Sequence, residues 1–300
     1  MKILLIGANG QLGSDLRTAL SAHELVCAMR TVPSALSYLP ASVILIDVND
    51  STQIRNALAL QRPDLVLNTT AYNKVDLAES DAREALLVNA LAAQQLARTC
   101  REFDLPLMHI STDFVFDGAK KTPYVEDDLP NPLSAYGTSK HAGELLVRAA
   151  WSRHYIIRTC GLYGVAGSSG KGGNFVNTML KFARENKPLK VVDDQICTPT
   201  ATRDLATQIV QLIDHTQGRS DYGMYHINNH GQCSWYEFAR EIFRLADIQA
   251  NLTPIHSADY NAPASRPPYS VLQNAHLQAL GIDHMRDWQT ALAEYVVMVK

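Results

Sequence analysis

Apolar residues along the chain fall into short, nearly continuous runs, separated by stretches in which they recur every three or four positions. The first run, Ile3 to Ile6 in "MKILLIGANGQLGSDL", is followed by Leu12, Leu16 and Leu20 at helical spacing, which predicts a strand, a turn and a helix. Further strand-like runs are "ELVCAM" (24–29), "VILIDV" (43–48), "DLVLNTT" (64–70), "LPLMHIS" (105–111) and "HYIIRT" (154–159). Runs of this kind fit strands buried on both faces. Helical patterns lie between them at 51–61, 81–103 and 135–150. The alternation predicts an α/β fold with a doubly wound parallel, Rossmann-type sheet, whose ligand crevice lies at the carboxyl ends of the strands.

The first strand-to-helix turn carries Gly7, Gly10 and Gly13. Glycine there lets backbone approach a pyrophosphate, and the free N–H groups and positive end of the following helix attract it. The spacing is G-x-x-G-x-x-G, and a tight turn between strand and helix is the plain alternative. Beyond about residue 160 the rhythm loosens. "GVAGSSGKGGNF" (164–175) reads as a mobile loop, prolines punctuate the remainder, and helical stretches recur at 175–186, 202–214, 234–247 and 287–299. Residues 1–160 are therefore expected to form a dinucleotide-binding domain. Residues 161–300 are expected to form mainly a smaller α/β substrate lobe, with segments returning to the main sheet.

Three hundred residues, 46% hydrophobic, suffice for a sizeable core, and a net charge of −3 provides no basic field for nucleic acid. The five cysteines are odd in number and form no C-x-x-C, so neither a disulfide framework nor a zinc knuckle is indicated. A reducing, cytoplasmic setting fits, with no membrane partner, since no long uncharged segment could span a bilayer. The ten histidines include no H-E-x-x-H, so no catalytic metal is expected. His109, inside an apolar run, reads as a hydrogen-bonded core residue.

The chemistry is concentrated in "SAYGTSKHAGELLV" (134–147), where Tyr136 and Lys140 stand four apart on a helical pattern and share one face. A cation beside a phenol is expected to lower its pKa from about 10, which would make Tyr136 a proton donor. Upstream, the run at 105–111 ends in Ser111, Thr112 and Asp113. Either hydroxyl could hold a substrate carbonyl; the alternative is a capped turn. Glycine turn, strand-end hydroxyl and downstream Y-x-x-x-K occur in the order that such a site requires.

With these motifs the sequence resembles the extended short-chain dehydrogenase/reductases acting on nucleotide sugars, and within them the dTDP-4-dehydrorhamnose reductase family. The likeness runs through "GANGQLG", "LIDVND", "AYNKVDLAESD", "VNALAAQQLA", "STDFVFDG", "YGTSKHAGE", "GNFVNTML", "VVDDQICTPT", "SWYEFAREIF" and "ASRPPYSVL". It implies that Thr112, Tyr136 and Lys140 are catalytic, Lys140 also binding the nicotinamide ribose. It implies a pyrophosphate loop at Gly7, Gly10, Gln11, Leu12 and Gly13, adenine-side contacts from Asp47 and Val48, and a cofactor wall at Ala71 and Tyr72. Substrate contacts are implied for Thr112, Asp113, Gly161, Asn174, Gln195, Thr198 and Arg266.

The implied activity is reduction of the 4-keto group of a nucleotide-linked 6-deoxyhexose, giving a product such as dTDP-L-rhamnose. Rivals are a reductase or epimerase of another nucleotide sugar and a non-catalytic dinucleotide-binding subunit of the kind that regulates methionine adenosyltransferase. Arg30, after the second strand run, suits a 2′-phosphate and favours NADPH, with NADH as the other option; a solvent-facing arginine is the alternative. One departure stands out: family members commonly carry a Trp where this chain has Gly161, so an aromatic platform beside the sugar is expected to be missing. A homodimer is left open.

Overall fold

The computed structural model describes residues 1–31, 42–166 and 173–300. Seven strands form its main sheet: β1 Lys2–Ile6, β2 Glu24–Met29, β3 Val43–Leu45, β4 Leu65–Asn68, β5 Leu107–Thr112, β6 His154–Thr159 and β7 Gly223–His226. Their order across the sheet is β7-β6-β5-β4-β1-β2-β3, and every pairing is parallel. The order reverses between β1 and β4, so the crevice opens there, beyond Ile6 and Asn68.

Side chains alternate across β1: Ile3 and Leu5 join one core with Leu16, Leu205 and Ile209, whereas Leu4 and Ile6 join another with Ile54, Leu96 and Val147. Burial on both faces accounts for the continuous apolar runs. Helices Gln11–Ala19 and Thr202–Thr216 supply the first face, and Ser51–Gln61, Ala92–Glu102 and Ala135–Ala150 the second. A third core holds Val176, Leu180, Phe238, Ile242 and Leu292, separate from the sheet. It lies beneath helices Phe175–Arg184, Trp235–Ala246 and Trp288–Val299.

Several helix starts follow from side-chain caps: Asp50 before Ser51–Gln61, Ser134 before Ala135–Ala150, and a Ser234/Glu237 capping box before Trp235–Ala246. The helix expected at 81–103 is divided into Ala82–Leu86, a π turn Leu87–Leu91, and Ala92–Glu102. The extra residue in that turn aims Asn89 inward. Strand β7 comes from the C-terminal half and closes the main sheet beside β6; its four residues carried no alternation that would have predicted it. The loop expected at 164–173 falls largely outside the described residues. Among the described residues no helix is long and apolar enough to cross a membrane.

Candidate active site

Where β1 ends, Gly7 adopts a φ of +88°, and a Cβ on it would lie 2.5 Å from Thr69 Oγ1 beyond β4. Gly10 is the residue before helix Gln11–Ala19, and a Cβ on Gly13 would lie only 2.1 Å from the Gly7 carbonyl oxygen. The helix therefore rests on the turn itself. Its first N–H groups have no intrahelical partner, and Gln11 Oε1 beside them is buried without one. A turn closed to side chains and a helix amino end with free N–H donors fit the diphosphate of a dinucleotide. Leu12 contributes backbone only, since its side chain is in the core.

The other cofactor candidates occupy neighbouring strand ends. Arg30 is exposed directly after β2, and Asp47 and Val48 follow β3. Asp47 accepts from Asn49 N at 3.0 Å, forming the turn that leads to the Asp50 cap. Ala71 and Tyr72 follow β4, and Tyr72 is held through its backbone: its N–H donates to Asn89 Oδ1 at 2.8 Å and its carbonyl accepts from Asn89 Nδ2 at 3.0 Å. Asn89 also donates to Ser139 Oγ, next to Lys140. Sequence reasoning missed Asn89. A polar residue on the buried face of a helical pattern was the available signal.

Strand β5 delivers Thr112, whose hydroxyl donates to Asp113 Oδ1 at 3.0 Å and is hydrogen-bonded to the Tyr136 phenol. Ser134 caps the tyrosine's helix, and a Cβ on Gly137 would lie 2.3 Å from the Phe114 carbonyl oxygen, so the helix presses on the turn after Thr112. The Tyr136 ring meets Phe114 edge-on at 5.6 Å. One turn along, Lys140 is 2% exposed and its Nζ donates to the Ile110 carbonyl at 2.7 Å. Tyr136, Lys140 and Glu144 share one helix face. Glu144 accepts from Ser111 at 2.6 Å and from Arg158 at 2.9 and 2.7 Å.

The proton affinities differ from the sequence expectation. The Tyr136 phenol is pushed up to about 12, first by burial and then by the Asp113 carboxylate, against the lowering hydrogen bond of Thr112. Burial sets the direction, opposite to the lowering expected from the neighbouring cation. Lys140 is pulled down to about 8 by burial, with Glu144 acting in the opposite sense. Glu144 is held at about 2 despite its burial, chiefly by its hydrogen bonds to Arg158 and His141. The result is a neutral phenol beside a lysine that is cationic at neutral pH. His109 is neutral in the core, pushed down by burial and bonded to Asn68.

Substrate candidates separate into open and committed groups. Gln195 is nearly buried, and its side chain has no hydrogen bond among the described residues. Asp113, 3% exposed, accepts from Thr112 and from Cys160 Sγ at 3.0 Å, and burial raises its pKa. Arg266 forms an ion pair with Asp76 at 2.9 Å. Thr198 is fully buried with its hydroxyl donating to the Gly231 carbonyl, and Asn174 caps helix Phe175–Arg184 while donating to Gly164 O and Tyr295 Oη. Both side chains are engaged in holding turns of the fold. Gly161 has a φ of +56°, and a Cβ on it would lie 3.6 Å from Trp235 Cη2. Pro199 Cα lies nearer still, at 3.2 Å, so that place is lined by backbone and by the edge of an indole.

Residues 1–300 match the model of the family described as RmlD substrate binding domain. A dTDP-4-dehydrorhamnose reductase of Streptomyces griseus is 36% identical, covering 97% of this chain and 91% of that protein. A probable dTDP-4,6-dihydroxy-2-methyloxan-3-one 4-ketoreductase of Streptomyces antibioticus is 38% identical, covering 98% and 94%. The crystal structure of dTDP-4-dehydrorhamnose reductase from Bacillus anthracis strain Ames in complex with NADP superposes with a TM-score of 0.87 at 34% identity, covering 99% of each chain.

Proposed function

The chain belongs to the RmlD substrate binding domain family, and from that premise we propose that it is an NADPH-dependent reductase converting dTDP-4-dehydro-L-rhamnose to dTDP-L-rhamnose. The observation that carries this reading is the meeting of Thr112, Tyr136 and Lys140 at the carboxyl end of a parallel sheet, beside a glycine turn suited to a diphosphate. The relatives named for dTDP-4-keto sugar reduction, one of them bound to NADP, support the substrate class and cofactor.

Gly7, Gly10, Gln11 and Gly13 would hold the cofactor's diphosphate, Arg30 its 2′-phosphate, Asp47 and Val48 the adenine side, and Tyr72 and Lys140 the nicotinamide end. When bound, NADPH supplies the hydride that C4 of the sugar receives. Thr112 orients the keto oxygen through its hydroxyl. Tyr136, neutral because burial raises its pKa, donates its proton to that oxygen as negative charge develops there. The Lys140 cation then stabilises the phenolate left behind. Gln195, Asp113 and Arg266 complete the sugar and diphosphate contacts, Arg266 exchanging Asp76 for the ligand's phosphates. Residues 161–300 act as the substrate lobe, with β7 as the segment that returns to the sheet.

The test presents purified protein with dTDP-4-dehydro-L-rhamnose made in situ, beside the unepimerised D-sugar and the UDP and GDP counterparts, while NADPH oxidation and product stereochemistry are recorded. Preference for the dTDP-L-sugar is expected. Turnover confined to a different nucleotide sugar would overturn the substrate assignment, and copurification with a synthetase without any NADPH oxidation would favour a regulatory subunit.

A further inference from the structure

The end of β6 lies beside the candidate catalytic groups: Thr159 pairs with Thr112 in the sheet, and Cys160, the next residue, donates to Asp113. Next comes Gly161, whose left-handed backbone suits a residue without a side chain. The three atoms nearest the place of its Cβ are Pro199 Cα at 3.2 Å, Thr198 O at 3.6 Å and Trp235 Cη2 at 3.6 Å. The one side-chain atom among them is the outer edge of an indole.

Trp235 is held in that position from two sides. It is the first residue of a helix whose start is set by the Ser234/Glu237 capping box, and Ser234 itself pairs with Ile196 in a two-stranded sheet next to Gln195. Its ring rests on Phe175 with centroids 4.8 Å apart and on Phe238 at 6.1 Å. The other two tryptophans are engaged elsewhere. Trp288 is 5% exposed within the lobe core, and the Trp151 indole donates to Leu105 O at the opposite end of the sheet. Trp235 remains half-buried, with one ring edge against Gly161.

We propose that Trp235 is a specificity-determining residue that supplies the aromatic wall for the pyranose ring of the nucleotide sugar beside Gly161, an inference that rests on the function proposed above. A pyranose presents an apolar C–H surface edged with hydroxyls, which a flat indole with one N–H donor complements. The wall is delivered by the C-terminal lobe, so the geometry of that lobe determines how the sugar is held.

The experiment compares wild type with Trp235→Leu and Trp235→Phe in three measurements: KM and kcat for the dTDP-4-keto sugar, inhibition by dTDP alone, and affinity for NADPH. Trp235→Leu should raise KM for the sugar nucleotide about tenfold, leave dTDP inhibition and NADPH affinity within twofold, and be partly rescued in Trp235→Phe. Because dTDP lacks the sugar, equal weakening of dTDP and sugar nucleotide would assign Trp235 to lobe packing and overturn the inference. An unchanged KM would do the same. Wild-type protein that turns over no dTDP sugar would instead overturn the underlying function, and the inference with it, a result visible before any variant is made.

Discussion

Lys140 Nζ donates to the Ile110 carbonyl oxygen at 2.7 Å, fastening the helix that carries Tyr136 to the strand that ends in Thr112. The contact orients an ammonium inside the protein, where its charge bears on the phenol one helical turn away. It also leaves the Lys140 charge sensitive to pH, since burial has brought its pKa to about 8.

Activity should therefore fall as pH rises through about 8. The charged form is the protonated one, so kcat should be level below that value and decline above it as Lys140 becomes neutral. The Glu144 carboxylate raises the Lys140 pKa; in Glu144→Gln the alkaline limb should move to lower pH. Removing one partner of a buried pair also costs about 3–5 kcal/mol, so the pH–rate profiles are recorded at a temperature where circular dichroism shows the variant folded. An unmoved limb would detach Lys140 from it.

Tyr136→Phe should lower kcat about 10²–10⁴-fold, the usual contribution of a positioned acid. The ring contact with Phe114 survives the substitution, so the melting temperature and the NADPH affinity should stay near wild type. Turnover within a few-fold of wild type would mean that another group supplies the proton.

The glycines of the first turn should respond unequally. In Gly13→Ala the new Cβ meets the Gly7 carbonyl oxygen at 2.1 Å and Ala8 Cα at 2.9 Å, both backbone, whereas in Gly10→Ala its nearest neighbour is Gly7 O at 3.2 Å. Overpacking against backbone costs roughly 1–3 kcal/mol. Thermal melts should show a clear loss for Gly13→Ala and little for Gly10→Ala, and NADPH titration should follow the same order.

Arg30→Ala should weaken NADPH about 10–100-fold and leave NADH nearly unaffected, because loss of a charge-assisted contact costs roughly 1.5–3 kcal/mol and only NADPH carries the phosphate. Equilibrium titration with each cofactor decides it. Equal losses would make Arg30 a solvent-facing side chain.

Gln195→Ala and Asn174→Ala should diverge. Gln195 has no side-chain hydrogen bond to lose, so its substitution should raise KM for the sugar nucleotide at unchanged melting temperature. Asn174→Ala removes a helix cap and the links to Gly164 and Tyr295, a loss of about 1–2 kcal/mol that should lower the melting temperature. The reverse pattern would exchange their roles.

Much of this was determined by sequence alone. Strands β2 and β6 and helices Ser51–Gln61 and Ala135–Ala150 stand at the residues that the apolar pattern predicted, since burial on two sheet faces and on one helix stripe imposes local periods of its own. Tyr136 and Lys140 were legible for the same reason: four residues on a helix make neighbours wherever the helix is placed. Only tertiary structure decided the remainder. Asn89 reaches Tyr72 through a π turn, β7 joins the sheet from the second half of the chain, and Asn174 and Thr198 are drawn into turns that needed their polar groups. The Tyr136 pKa moved up because desolvation depends on everything packed around the phenol, which a spacing of four does not encode. The indole edge at Gly161 is likewise a contact between segments far apart in sequence, and no local period records such a contact.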